Sequence, residues 1–126
     1  PESAVLRLFV TQQLPEEDFT KNLCTKCFDC DKINDSVLIR NRKPGDYLLL
    51  RSGSGDLMRK SLKTWLIDNK IPAGEREKLV LVTEGSHVLW IVGYRRDDSY
   101  PVNEDTRRVL VMKLLSIKNA AEGQDE

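Results

Sequence analysis

The 126-residue sequence lacks most of the features from which enzymes and membrane proteins are built. It contains a single histidine, no nucleophile motif and no spaced pair of carboxylates, so we expect no acid–base catalysis by this chain alone. No apolar run approaches the roughly 20 residues that a membrane-spanning helix requires. Residues 1–4 do not begin a signal peptide, which predicts a cytoplasmic protein, and the absence of an initiator methionine predicts a piece of a longer chain.

Cysteine is also scarce, and the three that are present lie at two-residue spacing, as Cys24, Cys27 and Cys30. Such spacing begins many zinc and iron–sulfur sites, but a tetrahedral site needs a fourth ligand and the only histidine is distant in the sequence. On a strand, Cys24 and Cys30 would point to one face and Cys27 to the other. We therefore expect no bound metal. An odd number of cysteines without a secretion signal also argues against disulfides.

Net charge is zero, but this neutrality hides an uneven distribution. The 20 basic and 20 acidic side chains cancel over the whole chain. Residues 37–78 nevertheless carry ten basic and five acidic side chains, a local net charge of +5, whereas both flanking segments are acidic. A basic segment on rigid elements is typical of a surface that binds phosphate-rich partners, although similar charges also occur on ordinary solvated surfaces.

Short apolar runs bounded by turn-forming residues predict a protein built mainly from strands. We expect strands at residues 5–10, 24–30, 36–41, 47–50, 79–83, 87–92 and 107–117, with a hairpin turn at 84–86. Pro44 and Gly45 occupy the second and third places of a type II turn at residues 43–46. Strands in runs with one substantial helix predict an α+β fold in a single domain over residues 1–117, followed by a flexible acidic tail at 118–126.

The main helix is expected at residues 57–70, between a capping Asp56 and the helix-breaking Pro72, with a short second helical turn after it. Four apolar side chains would share one face of this helix, namely Met58, Leu62, Trp65 and Leu66. Three basic side chains would line a neighbouring face, namely Arg59, Lys63 and Lys70. The glycine-rich loop at 52–56 could then bind phosphate at the helix N-terminus, but we favour a flexible capping loop because no βαβ units follow.

The order of several motifs adds information that composition does not supply. Four of them follow one another in the basic segment and beyond it, namely IRNRKPGD at 39–46, KSLKTWLIDNKIP at 60–72, REKLVLV at 76–82 and VLWIVGYR at 88–95. Together with FDCDK at residues 28–32, this ordered set resembles the C-terminal domain of bacterial tRNA(Ile)-lysidine synthetase, TilS. The resemblance is strongest over residues 28–106.

The resemblance implies a fold, a reaction and a location for the chemistry. The fold is a layered α+β domain of the PheT/TilS type, with a β-sandwich-like core and one main amphipathic helix. The parent enzyme would be an ATP-dependent ligase that joins lysine to the wobble cytidine of tRNA(Ile). ATP and Mg would bind to an N-terminal catalytic domain outside this sequence, so this domain would hold no cofactor and no catalytic residue.

The resemblance also implies partners and candidate binding residues. The domain would bind tRNA(Ile), notably its acceptor stem, beside the catalytic domain and away from any membrane, and a homodimer stays open. The basic positions that match the family motifs are Arg40, Arg42, Lys43, Lys60, Lys63, Lys70, Arg76 and Arg95. Some could instead hold the fold, with Arg40 pairing to Asp46 or Arg76 bonding to backbone carbonyls. For tRNA binding, we expect Lys63→Glu with Arg40→Glu to weaken affinity without unfolding the domain.

Two other functions remain alternatives at this point. The chain could be a protein-interaction or structural module that packs on a catalytic domain or a second subunit, which its overall neutrality favours. It could also be a metal or redox domain built on the cysteines.

Overall fold

A computed structural model describes residues 4–12 and 25–116 of the chain. The strands are β1 Ala4–Thr11, β2 Thr25–Asp29, β3 Val37–Arg40, β4 Tyr47–Arg51, β5 Leu57–Ser61, β6 Leu81–Glu84, β7 His87–Ile91, β8 Arg95–Arg96 and β9 Val109–Ser116. The helices are α1 Leu62–Asp68 and α2 Ala73–Arg76, and a short 3-10 helix covers Cys30–Lys32. The fold is therefore α+β, mostly sheet with one main helix, as the sequence predicts.

The chain divides into two units, of which the first combines its two ends and the second comprises Ile33–Tyr100. The described part of the first unit is an antiparallel sheet in the order β1-β9-β2. Buried Cys27 packs there against Val109 and Val111. The carboxylate of Asp31 accepts hydrogen bonds from the Arg107 backbone N–H at 2.8 Å and from the Arg108 side chain at 3.2 Å, and the Arg107 bond above all lowers the pKa of this carboxyl.

The second unit is built on a six-stranded sheet in the order β3-β6-β7-β4-β5, with β8 paired to β7. All its pairings are antiparallel except that of β4 with β7. Helix α1 packs its apolar side on this sheet, and the buried core contains Leu48, Leu62, Trp65, Leu66, Ile71, Leu79, Leu81, Val88 and Ile91. Burial of these nine side chains is the main stabilising contribution to the unit, at about 1.5–3 kcal/mol for each large apolar side chain.

The predicted start of the main helix is wrong, because residues 57–61 form strand β5 and the helix begins at Leu62. The residues of β5 pair along their whole length with β4. The N-cap is Ser61, whose hydroxyl oxygen accepts a hydrogen bond from the Thr64 N–H at 3.1 Å, whereas Asp56 lies in the hairpin loop before β5. Glycine-rich residues 52–56 therefore connect two strands, and the expected helix N-terminus does not follow them.

The helix also ends earlier than expected, at Asp68. The N–H of Lys70 donates to the Ile67 carbonyl and the N–H of Ile71 donates to the Leu66 carbonyl, both at 3.0 Å. With Lys70 at a φ of 56°, these two bonds form a Schellman motif that ends the helix before Pro72. The helical basic row is accordingly wrong, since Arg59 lies on β5 and Lys70 lies beyond the helix.

The predicted strands and turns agree with the structure. All seven predicted strands are present with boundaries shifted by a few residues, and the β6–β7 hairpin turns at Gly85, whose φ is 61°. Gly45 has a φ of 89° in the predicted turn at 43–46, and α2 follows Pro72. Cys24 and the tail at 118–126 lie outside the described residues, and the single domain over 1–117 stays a prediction. Within the described parts of the chain, no helix is long and apolar enough to cross a membrane.

The position of the N-cap can be tested by paired substitutions. We expect Ser61→Ala to lower the free energy of unfolding by about 1 kcal/mol, because the Thr64 N–H loses its acceptor. Asp56→Ala should change it by less than about 0.5 kcal/mol, since that carboxylate lies in an exposed loop. Urea unfolding of both variants checks this expectation, and a larger loss for Asp56→Ala would contradict it.

Candidate functional site

The turn at residues 43–46 is held by a buried ion pair between Arg40 and Asp46. The two terminal nitrogens of Arg40 donate to the two carboxylate oxygens of Asp46 at 2.9 and 2.7 Å, and Asp46 is only 3% exposed. The same carboxylate accepts from the Lys43 N–H at 2.8 Å, and Arg40 also donates to the carbonyls of Asn41 and Gly85. The hydrogen bonds to Asp46 raise the pKa of Arg40 further. The pairing of Arg40 with Asp46 that the sequence analysis considered is thereby confirmed.

Because of this ion pair, the double variant suggested by the sequence, Lys63→Glu with Arg40→Glu, is not a suitable test of binding. Arg40→Glu would place a second carboxylate against buried Asp46 and remove four hydrogen bonds. We therefore expect it to unfold the unit, so it cannot report on binding alone.

Next to this turn lies a cleft of about 740 Å³ within the second unit. Its walls come from the turn, from the end of β5 and the start of α1, and from α2. Five basic side chains line it, namely Arg42, Lys43, Arg59, Lys63 and Arg76. Two acidic side chains, Asp46 and Glu77, also line it. The cleft thus collects four of the eight candidate residues and leaves an excess of positive charge.

Arg42 is the cleft arginine whose charge is balanced. Its Nε and one terminal nitrogen both donate to a single carboxylate oxygen of Glu77, at 3.0 and 2.7 Å. The Glu77 side chain is 71% exposed, so this pair lies at the surface. Surface pairs contribute about 0–1 kcal/mol, which means that a more highly charged ligand can displace Glu77.

Arg76 is fixed by a backbone carbonyl. Its Nε donates to the carbonyl oxygen of Ile71 at 2.9 Å, which ties the end of α2 to the connection between α1 and α2. The bond to a backbone carbonyl that the sequence analysis considered for Arg76 is therefore present. It occupies only Nε, and the terminal nitrogens have no partner among the residues that the structure describes.

The guanidinium of Arg59 lies over the face of an aromatic ring. Its guanidinium carbon is 3.8 Å from the ring centroid of Tyr47, which is the distance of a cation–π contact. The same ring stacks on the imidazole of His87, with centroids 5.3 Å apart and planes 4° apart. Arg59 and Tyr47 are not among the candidate residues obtained from the family motifs. No local pattern marks them, because β4 (YLLLR) and β5 (LMRKS) lack polar–apolar alternation, and only the pairing of these two strands brings Arg59 to Tyr47.

The imidazole of His87 belongs to a buried polar network. Its Nε2 donates to a carboxylate oxygen of Asp97 at 2.7 Å, because the carboxylate can only accept. Asp97 also accepts from the backbone N–H groups of Leu49, at 2.7 Å, and Ser99, at 2.6 Å. Burial acts to raise the pKa of Asp97, but the hydrogen bonds from His87, Ser99 and Leu49 together outweigh it and lower the pKa. The network therefore holds an ionised carboxylate beneath the Tyr47 stack.

The other candidate residues do not line the cleft. Lys60 follows Arg59 on β5, points to the opposite face and pairs with Asp68. Arg95 pairs with Asp98 at 3.1 Å, and Lys70 lies exposed in the Schellman motif. No group of three potential metal ligands occurs in the parts of the chain that the structure describes.

Comparison with known proteins places this architecture in one family. The model of the TilS substrate C-terminal domain matches residues 37–112, which is more than half of the chain. The chain belongs to the TilS C-terminal domain family. A tRNA(Ile)-lysidine synthase of Caldanaerobacter subterraneus subsp. tengcongensis is 38% identical over 77% of this chain and 20% of its own length. A tRNA(Ile)-lysidine synthase of Clostridium tetani is 32% identical over 86% of this chain and 23% of its own length.

The fold agrees with the same assignment. A crystal structure of a TilS C-terminal domain matches with a TM-score of 0.70 and 21% identity, covering 90% of this chain and 85% of that one. The chain spans about a fifth of the length of the curated TilS relatives it matches. The activity of a complete TilS enzyme therefore does not follow from this domain alone.

The buried pair in the TilS turn can be tested against the surface pair beside it. We expect Asp46→Ala to lower the free energy of unfolding by about 3 kcal/mol, because it leaves the Arg40 guanidinium without its carboxylate partner. Glu77→Ala removes the partner of Arg42 in the same way but should cost less than about 1 kcal/mol. Denaturant unfolding measures both values, and equal losses would contradict the structural importance of Asp46.

The lowered pKa of Asp97 makes the stability depend on pH. Since the folded-state pKa lies below the ordinary value of 3.8, Asp97 contributes stability above that pH and loses it as the pH falls further. We expect Asp97→Asn to be less stable than the parent chain at pH 7, with a smaller difference between the two at pH 3. Thermal unfolding at both pH values provides the measurement. A difference that is the same at pH 3 and pH 7 would contradict this assignment.

Proposed function

We propose that this chain is a tRNA(Ile)-binding domain that holds the tRNA body while lysine is joined to the anticodon elsewhere in the enzyme. The observation that carries the proposal is the cleft, in which three separate segments of the family motifs place cations around one concave surface. Helical RNA is recognised mainly through its sugar–phosphate backbone and shape, and such contacts require cations at fixed positions. The relatives are tRNA(Ile)-lysidine synthases, which supports a tRNA as the partner.

The contribution of this domain to the reaction would be positioning. Within the proposed enzyme, ATP and Mg bind to the N-terminal catalytic domain, which attaches lysine to the wobble cytidine. Binding of the acceptor stem by the cleft would fix the tRNA so that the distant anticodon reaches that active site, which reduces the entropic cost of the reaction. A cytoplasmic location goes with this role, because the substrate is tRNA.

Two cleft lysines allow a test that leaves the fold intact. Lys43 and Lys63 are exposed, and their ammonium groups make no ion pair with any residue in the described ranges. We expect Lys43→Glu with Lys63→Glu to weaken binding of a tRNA(Ile) transcript and to reduce the slope of log affinity against log salt by about 2, one per phosphate contact. Fluorescence anisotropy at several salt concentrations measures both effects.

A matched control separates the cleft from overall charge. Lys70→Glu with Lys78→Glu makes the same change in net charge at two exposed positions that do not line the cleft. This variant should keep most of the affinity and nearly all of the salt slope. If both double variants lose affinity equally, the overall charge of the domain determines binding rather than the cleft, and the proposal fails.

One observation favours the protein-interaction alternative. Leu38 and Ile39 lie on β3, at the edge of the six-stranded sheet, and each is 52% exposed. Exposed apolar residues on an edge strand are suited to packing against another protein surface. Under this alternative, the double variant Leu38→Ser with Ile39→Ser would associate more weakly with the catalytic domain. The cleft double variant Lys43→Glu with Lys63→Glu would bind tRNA with the same affinity as the parent chain.

A further inference from the structure

The three arginines of the cleft differ in how many hydrogen-bond donors remain unused. Arg42 places both Nε and a terminal nitrogen on Glu77. Arg76 uses only Nε, on the Ile71 carbonyl. The guanidinium of Arg59 lies over the face of Tyr47, and its nitrogens have no hydrogen-bond acceptor among the described residues. Arg59 and Arg76 are therefore each restrained by one side-chain contact, with their terminal donors unused.

Tyr47 is enclosed by its neighbours in the sheet. Strand β4 lies between β5 and β7, so Arg59 and His87 approach the ring from opposite sides. His87 is held in turn by its hydrogen bond to buried Asp97. Since each face of the ring already has a neighbour, Tyr47 is poorly suited to stacking on a nucleobase. Its cation–π contact is suited instead to restraining the guanidinium of Arg59.

A restrained guanidinium and a flexible ammonium recognise phosphate differently. The planar guanidinium presents parallel donors that match two phosphate oxygens, and an anchored one loses little rotamer entropy on binding. Exposed Lys43 and Lys63 carry point charges on flexible stems, which attract phosphate without fixing its orientation.

We propose that Arg59 and Arg76 form the phosphate-recognising pair of the cleft, with Tyr47 as the positioning residue for Arg59. Lys43 and Lys63 supply attraction that depends on charge alone. The inference rests on the proposed binding of tRNA and adds which side chains orient the sugar–phosphate backbone.

Substitutions that conserve charge distinguish the two kinds of residue. In the full chain, Arg59→Lys and Arg76→Lys should each weaken binding of a tRNA(Ile) transcript by about tenfold, because one of two charge-assisted hydrogen bonds is lost. The salt slope should stay unchanged, since the charge is conserved. Lys43→Arg and Lys63→Arg are the matched controls and should not lower affinity. Unchanged affinity in both arginine variants would overturn the inference.

The role of Tyr47 is tested by a double-mutant cycle. Tyr47→Phe keeps an aromatic face for Arg59 and should bind like the parent chain, whereas Tyr47→Leu should lose about as much affinity as Arg59→Lys. In the Arg59→Lys background, Tyr47→Leu should cause little further loss. Losses that add fully would show that Tyr47 does not act through Arg59. Thermal unfolding of each variant, with Tyr47→Phe as the folded reference, separates an effect on binding from loss of the fold.

The outcomes also separate this inference from the proposed function. If Lys43→Glu with Lys63→Glu weakens binding while the arginine-to-lysine variants bind normally, tRNA binding stands and the arginine pair is wrong. If neither set changes the affinity, the cleft is not the binding site and both proposals fail.

Discussion

The ion pair between Arg40 and Asp46 is the interaction on which the second unit and its cleft depend. The Asp46 carboxylate closes the turn through the Lys43 N–H, and the Asp46 carbonyl accepts from the N–H of Leu62, the first residue of α1, at 2.9 Å. Arg40 extends the same connection to the Gly85 carbonyl in the β6–β7 turn. One buried pair therefore links a turn, a helix start and a hairpin. Its removal would disturb all three elements at once, since a buried charge without its partner is costly.

The same arrangement explains why the motif residues have separate roles. In the segment from Arg40 to Asp46, the two end residues pair with each other and are buried or nearly so, whereas Lys43 between them is left exposed at the cleft. Arg76 combines both roles, because its Nε holds the Ile71 carbonyl while its terminal nitrogens remain unused. A motif of basic residues thus contains one part that shapes the backbone and another that faces the cleft.

Much of the fold could be predicted from the sequence, because its strands are bounded by strong turn residues such as Pro44, Gly45 and Gly85. The start of α1 could not be predicted, because Asp56 and Ser61 are both good N-cap residues. The apolar spacing of Leu62, Trp65 and Leu66 fits a helix that begins after either of them. Pairing of β5 with β4 decides between them, and this is a tertiary contact that no local pattern contains. The error hid Arg59, whose contact with Tyr47 exists only if both residues lie on neighbouring strands.

The net charge counted over the basic segment, residues 37–78, is a poor guide to the electrostatic potential that a ligand would meet. Three of its cations already have carboxylate partners, namely Arg40 with Asp46, Arg42 with Glu77 and Lys60 with Asp68. Four cations of the cleft lack such a partner among the described residues, namely Lys43, Arg59, Lys63 and Arg76. Because these four surround a concave surface, their potentials add there, whereas the paired charges largely cancel. The position of the unpaired cations, more than their number in the sequence, therefore determines where a polyanion would bind.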